Sequence, residues 1–86
     1  MACPTITLTG ITTEVWDCCR REARRMGVAF PEGDAGGVRH PEADADFAWD
    51  SVSATLQVTF TRTPSYIRCE MLEARLREGA RMCGAK

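Results

Sequence analysis

Val52-Ser53-Ala54-Thr55-Leu56-Gln57-Val58-Thr59-Phe60-Thr61-Arg62 is the stretch whose reading decides the fold. Apolar Val52, Ala54, Leu56, Val58 and Phe60 alternate with polar Ser53, Thr55, Gln57, Thr59 and Thr61. A period of two places the five apolar side chains on one face of an extended chain. The β-branched content favours the same conformation. The stretch reads as a strand with one wet face, and the flanking elements are expected to cover the dry one.

Working outward, Phe47 and Trp49 are odd-numbered whereas the apolar set from Val52 is even-numbered. That change of phase across Asp50-Ser51 predicts a turn or bulge there, with a short strand at 46–49 leading into the long one. Before it, Pro31 to Asp46 reads PEGDAGGVRHPEADAD. Gly33, Gly36, Gly37, Pro31 and Pro41 argue against a long regular element, so 31–46 is expected to be a long Gly/Pro/acidic loop. Loops beyond about 12–15 residues are uncommon in compact domains and usually functional or disordered. Val28-Ala29-Phe30 is expected to be a brief strand or a buried tether.

At the N-terminal end, Thr5 to Thr9 alternates as TITLT, a short first strand with Ile6 and Leu8 inward. Gly10 closes it and Thr13 is the expected N-cap of a helix. At about 100° per residue, Val15, Cys19, Ala23 and Met26 form one stripe with Trp16 at its edge. Asp17, Arg20, Arg21, Arg24 and Arg25 take the other side, with Asp17 and Arg21 spaced as an i,i+4 pair. The helix dipole favours arginines in the C-terminal half, and Gly27 supplies the terminus.

After the long strand, Thr63-Pro64 suits a helix start, and a second helix is expected over Ser65–Met82. Its apolar residues fall into two stripes: Cys69, Leu72, Leu76, Gly79, Ala80 and Cys83 on one side, and Ile67, Met71, Ala74 and Met82 roughly opposite. A helix with two apolar flanks is wedged in a core or has a partner. Ile67, Met71, Ala74 and Met82 are therefore the candidate contacts of a homodimer.

These elements make one α+β domain over residues 1–86. The expected layout is a small antiparallel sheet of two to four strands with two helices on one face, in β-α-β-β-α order. The 86 residues hold a single core, and oligomerisation would help a domain this small. Formal net charge is −1, which gives no global field to recruit nucleic acid or membrane. The distribution is uneven: residues 32–50 hold one arginine and six carboxylates, whereas 51–86 hold six cations and three carboxylates.

The chemistry-bearing residues point away from catalysis. His40 is the single histidine, set between Arg39 and Pro41, with no nucleophile or orienting group in a recognisable pattern around it. No phosphate-loop, dinucleotide or zinc-protease motif occurs, so a non-enzymatic protein without cofactor or metal is expected. The five cysteines, Cys3, Cys18, Cys19, Cys69 and Cys83, are odd in number and lack C-x-x-C spacing. With a start that does not resemble a secretory segment, they are expected to be reduced, in a cytoplasmic protein. Cys19, Cys69 and Cys83 read as small core hydrophobes, while Cys3 and Cys18 are candidates for oxidation between chains.

The leading candidate surface is the acidic middle: Glu42, Asp44, Asp46 and Asp50 with Phe47 and Trp49. Aromatics among carboxylates can anchor on a basic protein while the charges steer the encounter. The alternative is a solvated segment with Phe47 and Trp49 in the core. The D-A-D-F-A-W-D run lacks the glycine and final glutamate of an EF-hand calcium loop. A second candidate is the basic side of helix one, Arg20, Arg21, Arg24 and Arg25, which could lie along a phosphate backbone.

By size, by lack of catalytic motifs and by the cluster Glu42-Ala43-Asp44-Ala45-Asp46, the chain resembles the small phage-encoded inhibitors, anti-CRISPR proteins among them. The resemblance covers no diagnostic motif and carries over no functional residue. It implies a cytoplasmic binding module whose carboxylates occupy a basic groove of a protein or nucleoprotein complex. A small nucleic-acid-binding or regulatory protein using helix one is the competing expectation.

Overall fold

A computed structural model describes residues 3–28, 33–41 and 43–85. Its elements are β1 (Ile6–Leu8), α1 (Thr13–Arg25), β2 (Ala35–Arg39), β3 (Asp44–Asp50), β4 (Thr55–Arg62) and α2 (Cys69–Met82). The class is α+β: two helices and one antiparallel sheet of four strands in the order β1-β4-β3-β2. The chain carries one strand more than the expected β-α-β-β-α order.

The long strand lies between β1 and β3, and its register explains the core. Val58 sits opposite Ile6 on one side and Phe47 on the other, and Leu56 opposite Leu8 and Trp49. Directly opposed residues share a face, so these side chains form contiguous rows. Ile6, Leu8, Phe47, Leu56 and Val58 are buried in one cluster with Ile11, with Val15 and Trp16 of α1, and with Ala80 of α2.

The strand begins at Thr55, however, and not at Val52. Ser51 to Ala54 form the turn between β3 and β4, and Val52 is 95% exposed. The cause is Asp50, whose carboxylate accepts from the Val52 amide at 2.9 Å and the Ser53 amide at 3.4 Å. Such local side-chain bonds compete with strand ladders. Ala54 closes the turn at φ 54°, a left-handed conformation that costs a non-glycine residue roughly 1–2 kcal/mol. Its carbonyl then accepts from the Ile11 amide at 2.8 Å, which docks the turn on the segment ahead of α1.

The expected loop at 31–46 contains β2, and β3 starts within it. Gly36 and Gly37 pair with Phe47 and Asp46, and His40 and Ala43 exchange two backbone bonds at 3.0 and 3.2 Å to close the hairpin. Glycine weakens a strand, but β2 lies at the sheet edge and is held by the ladder to β3. At Gly37 a side chain would crowd the sheet: a Cβ there would lie 3.0 Å from the Arg39 guanidinium and 3.2 Å from an Asp46 carboxylate oxygen. The brief strand expected at 28–30 falls mostly on residues outside those described.

In α1 the N-cap is Thr12, one residue before the expected Thr13, its hydroxyl accepting from the Val15 amide. The buried stripe is correspondingly rotated. Trp16, expected at its edge, is 2% exposed, while Met26, expected within it, is 72% exposed. Helix α2 begins at Cys69 rather than Ser65, with Arg68 as an N-cap that makes no side-chain bond. Thr63 is buried instead of capping, and Pro64 to Ile67 make a turn closed by the Ile67 amide on the Pro64 carbonyl at 3.1 Å.

The largest departure concerns the cysteines. Cys3 is bonded to Cys69 and Cys18 to Cys83, leaving Cys19 as a thiol. The expectation of reduced cysteines therefore fails for four of the five. Pairing needs Cα atoms about 4.4–6.8 Å apart, and the fold brings both pairs to 5.6 and 5.7 Å. The partners are 66 and 65 residues apart in sequence, so no local pattern announces them.

Candidate binding surfaces

Strand β3 sorts its side chains by parity. Ala45, Phe47 and Trp49 belong to or pack against the core; Asp44, Asp46, Ala48 and Asp50 project to the other side, as alternation requires. Phe47 is buried, 5.6 Å from the Trp16 ring centre. Trp49 stacks on Trp16 at 5.5 Å with 18° between planes, and its indole N–H donates to the Ile11 carbonyl at 2.8 Å. Both aromatics of the expected acidic site thus serve the core and do not share a face with its carboxylates. The D-A-D-F-A-W-D alternation held that signal, since period two alone separates Asp from Phe and Trp.

The three described carboxylates have different surroundings. Asp44 accepts from the Arg62 guanidinium at 3.0 Å. The same guanidinium donates to the carbonyls of His40 at 2.9 Å and Pro41 at 3.3 Å, so Arg62 ties β4 to the β2–β3 turn. The Arg62 hydrogen bond, aided by the charges of Arg62 and Arg39, holds the Asp44 carboxyl below the usual carboxylate range. Asp46 faces Arg39 at 3.8 Å, and Asp50 caps its turn. Asp46 and Asp50 remain exposed. Glu42 lies outside the described residues.

Across β4 the same face continues with Thr59 opposite Asp46, Gln57 opposite Ala48, and Thr55 opposite Asp50. Thr7 of β1 follows opposite Gln57, and the Thr5 and Thr59 hydroxyls are hydrogen-bonded at 2.7 Å. The result is a threonine-rich surface with a row of aspartates along one inner strand. Ala48, Trp49, Asp50, Ser53, Thr55 and Gln57 line a shallow depression of about 220 Å³ at its end.

The basic side of α1 forms a second surface. Arg20, Arg21 and Arg24, with Asp17 and Gly33, line an open cavity of about 430 Å³. Arg20 lies over the Trp16 ring at 5.8 Å, a cation–π contact. Arg25 is turned to Glu22, its Nε 3.1 Å from the carboxylate. The spacing pair Asp17–Arg21 does not form: among the described residues Arg21 and Arg24 belong to no ion pair.

On α2, Met71 and Met82 are 50% and 79% exposed, and Ala74 is exposed beside them. Ile67, half-buried, precedes the helix. Tyr66, in the same lead-in turn, is also exposed; it lies within the expected helix of Ser65–Met82 but in neither of its two apolar stripes. Among the described residues no helix is long and apolar enough to cross a membrane. Comparison of the chain with protein-family models, characterised proteins and solved structures returns no match.

Proposed function

We propose that this protein is a non-enzymatic binding module that offers the wet face of its sheet to a basic partner. The observation supporting this reading is the placement of Asp44, Asp46 and Asp50 on one side of β3, a central strand, away from Phe47 and Trp49. Thr7, Asp46, Ala48 and Gln57 on that face are exposed. A surface with two exposed carboxylates among threonines fits a partner bearing lysines or arginines, where charge governs encounter rate and specificity more than affinity. A nucleoprotein complex with a phosphate-binding groove is one such partner, in the manner of small phage-encoded inhibitors such as anti-CRISPR proteins. Phe47 and Trp49 do not act as anchors in this version of the site.

The test is capture of partners from cell extract by wild type and by an Asp46→Asn/Asp50→Asn variant. Asparagine preserves the acceptor that Asp50 supplies to its turn, so only charge is removed. Loss of the captured basic protein supports the reading; unchanged capture removes the aspartate row from it.

A second reading, nucleic-acid or polyanion binding through α1, is favoured by one observation: the cavity lined by Arg20, Arg21 and Arg24. Retention on heparin at low salt, abolished in an Arg21→Gln/Arg24→Gln variant, would select it over the first. The flank of Ile67, Met71, Ala74 and Met82 is proposed as the contact of a homodimer. Sedimentation at high concentration should then give twice 9.5 kDa, and a monomer mass refutes it. Disulfides persist in oxidising compartments, so the cytoplasmic setting expected from sequence requires a fold that holds without them.

A further inference from the structure

We propose that α2 is a redox-released arm: the Cys3–Cys69 and Cys18–Cys83 bridges dock it, and a dithiol reductant frees it while the sheet and α1 stay folded. This is independent of which charged surface meets the partner.

The geometry is specific to α2. Cys69 is its first residue and Cys83 its C-cap, so a covalent tie stands at each end of one helix. Between the ties the helix has little else to hold it. Ala80 is its single buried residue, with Leu76 and Cys83 partly buried beside the core. Its N-terminus has no side-chain cap, and Met71 and Met82 point to solvent. Among the described helices and strands it meets β1 and α1.

The remainder is built differently. Helix α1 has a side-chain cap and buries Val15 and Trp16, and Trp16 packs with Phe47 and Trp49 of β3. Strands β2, β3 and β4 are joined by antiparallel ladders, with one register shift between Asp44 and Ala45 on the β4 side. A segment with few buried apolar contacts opens before the core does, and at α2 the bridges suppress that opening.

The chemistry balances at each bridge. A thiolate of the reductant attacks one cysteine sulfur, forming a mixed disulfide as the S–S bond breaks, and the departing cysteine thiolate takes up a proton. The second reductant thiol then displaces the remaining cysteine, which is protonated in turn. Each bridge gains two electrons and two protons, and the dithiol becomes a disulfide. Cys18, Cys69 and Cys83 are half-buried and Cys3 is buried, so each bridge offers at least one sulfur to the reductant. Cys19 does not compete at neutral pH, because burial raises its thiol above the ordinary value and keeps it protonated. Release uncovers the side of Ile6 and Leu8 that α2 shields. The arm is therefore docked in an oxidising compartment and free in a reducing one.

Amide hydrogen exchange read by mass spectrometry, on the oxidised chain and after dithiothreitol, tests this. Complete reduction shows as a gain of about 4 Da, two hydrogens per bridge. Exchange in peptides of 69–82 should then accelerate about tenfold or more, while 13–25, 44–50 and 55–62 keep their protection. Unchanged protection in 69–82 overturns the proposal. Loss of protection in the sheet together with α2 also overturns it, since the bridges would then hold the whole fold. A Cys69→Ser/Cys83→Ser variant should reproduce the reduced pattern without reductant, and a variant that does not fold contradicts the proposal in the same way.

Discussion

Replacing Trp16 with alanine should remove the largest single contribution to the join between α1 and the sheet. The side chain is 2% exposed, stacked on Trp49 and tilted against Phe47 at 5.5 and 5.6 Å. Truncating a buried aromatic costs about 3–5 kcal/mol through lost transfer energy and the cavity left behind. Each aromatic pair adds about 0.5–1.5 kcal/mol beyond burial, already contained in that range. At roughly 0.05–0.15 kcal/mol per residue, a chain of this size has about 4–13 kcal/mol in all. The substitution therefore removes about a quarter of the stability or more. Urea unfolding with the disulfides intact, followed by far-ultraviolet circular dichroism, reads the change as a fall in midpoint at constant slope. Trp16→Phe keeps an aromatic ring facing Trp49 and should cost clearly less. A cost for Trp16→Ala below about 0.5 kcal/mol, the range of surface positions, would refute a core centred on this residue.

Three further outcomes follow from particular residues. Leu56→Ala should cost about 2–5 kcal/mol and Val52→Ser less than about 0.5 kcal/mol; equal costs in urea unfolding would mean that the strand starts at Val52 after all. Ala54→Gly should be neutral to stabilising by up to about 1 kcal/mol, because glycine takes the left-handed turn position without strain, and a destabilised variant would argue against that conformation. Because Arg62 lowers the folded-state pKa of Asp44, this carboxylate contributes stability above its unfolded pKa and loses it as pH falls through the folded value. Arg62→Gln should raise the Asp44 midpoint in an NMR titration, and an unmoved midpoint would dissociate the pair.

What the sequence made legible was whatever depended on periodicity. Thr55–Arg62 and Ile6–Leu8 alternate and are strands, and the change of phase read across Asp50-Ser51 as a turn or bulge is a turn over 51–54. The same rule misled at Val52 and Ala54, where alternation runs on through residues that Asp50 has already committed to a turn. Strand β2 was hidden because Ala35-Gly36-Gly37-Val38-Arg39 has no strand propensity, and its extended form comes from the ladder to β3. Of the candidate acidic site, the carboxylates were identifiable by charge. That Arg39 and Arg62 stand beside Asp46 and Asp44 depends on strand register, which charge patterning does not encode. The cysteine pairs were least legible, since their sulfurs meet only once β1, α1 and α2 are assembled.

The account rests above all on α2 being tied to the rest of the chain at both ends. Proteolytic peptide mapping without reduction, after alkylation of the unfolded chain, measures that directly. It should recover Cys3 linked to Cys69, Cys18 linked to Cys83, and Cys19 carrying the alkyl group. A bridge that includes Cys19, a link between two chains through Cys3 or Cys18, or five alkylated thiols in protein purified without reductant would contradict it.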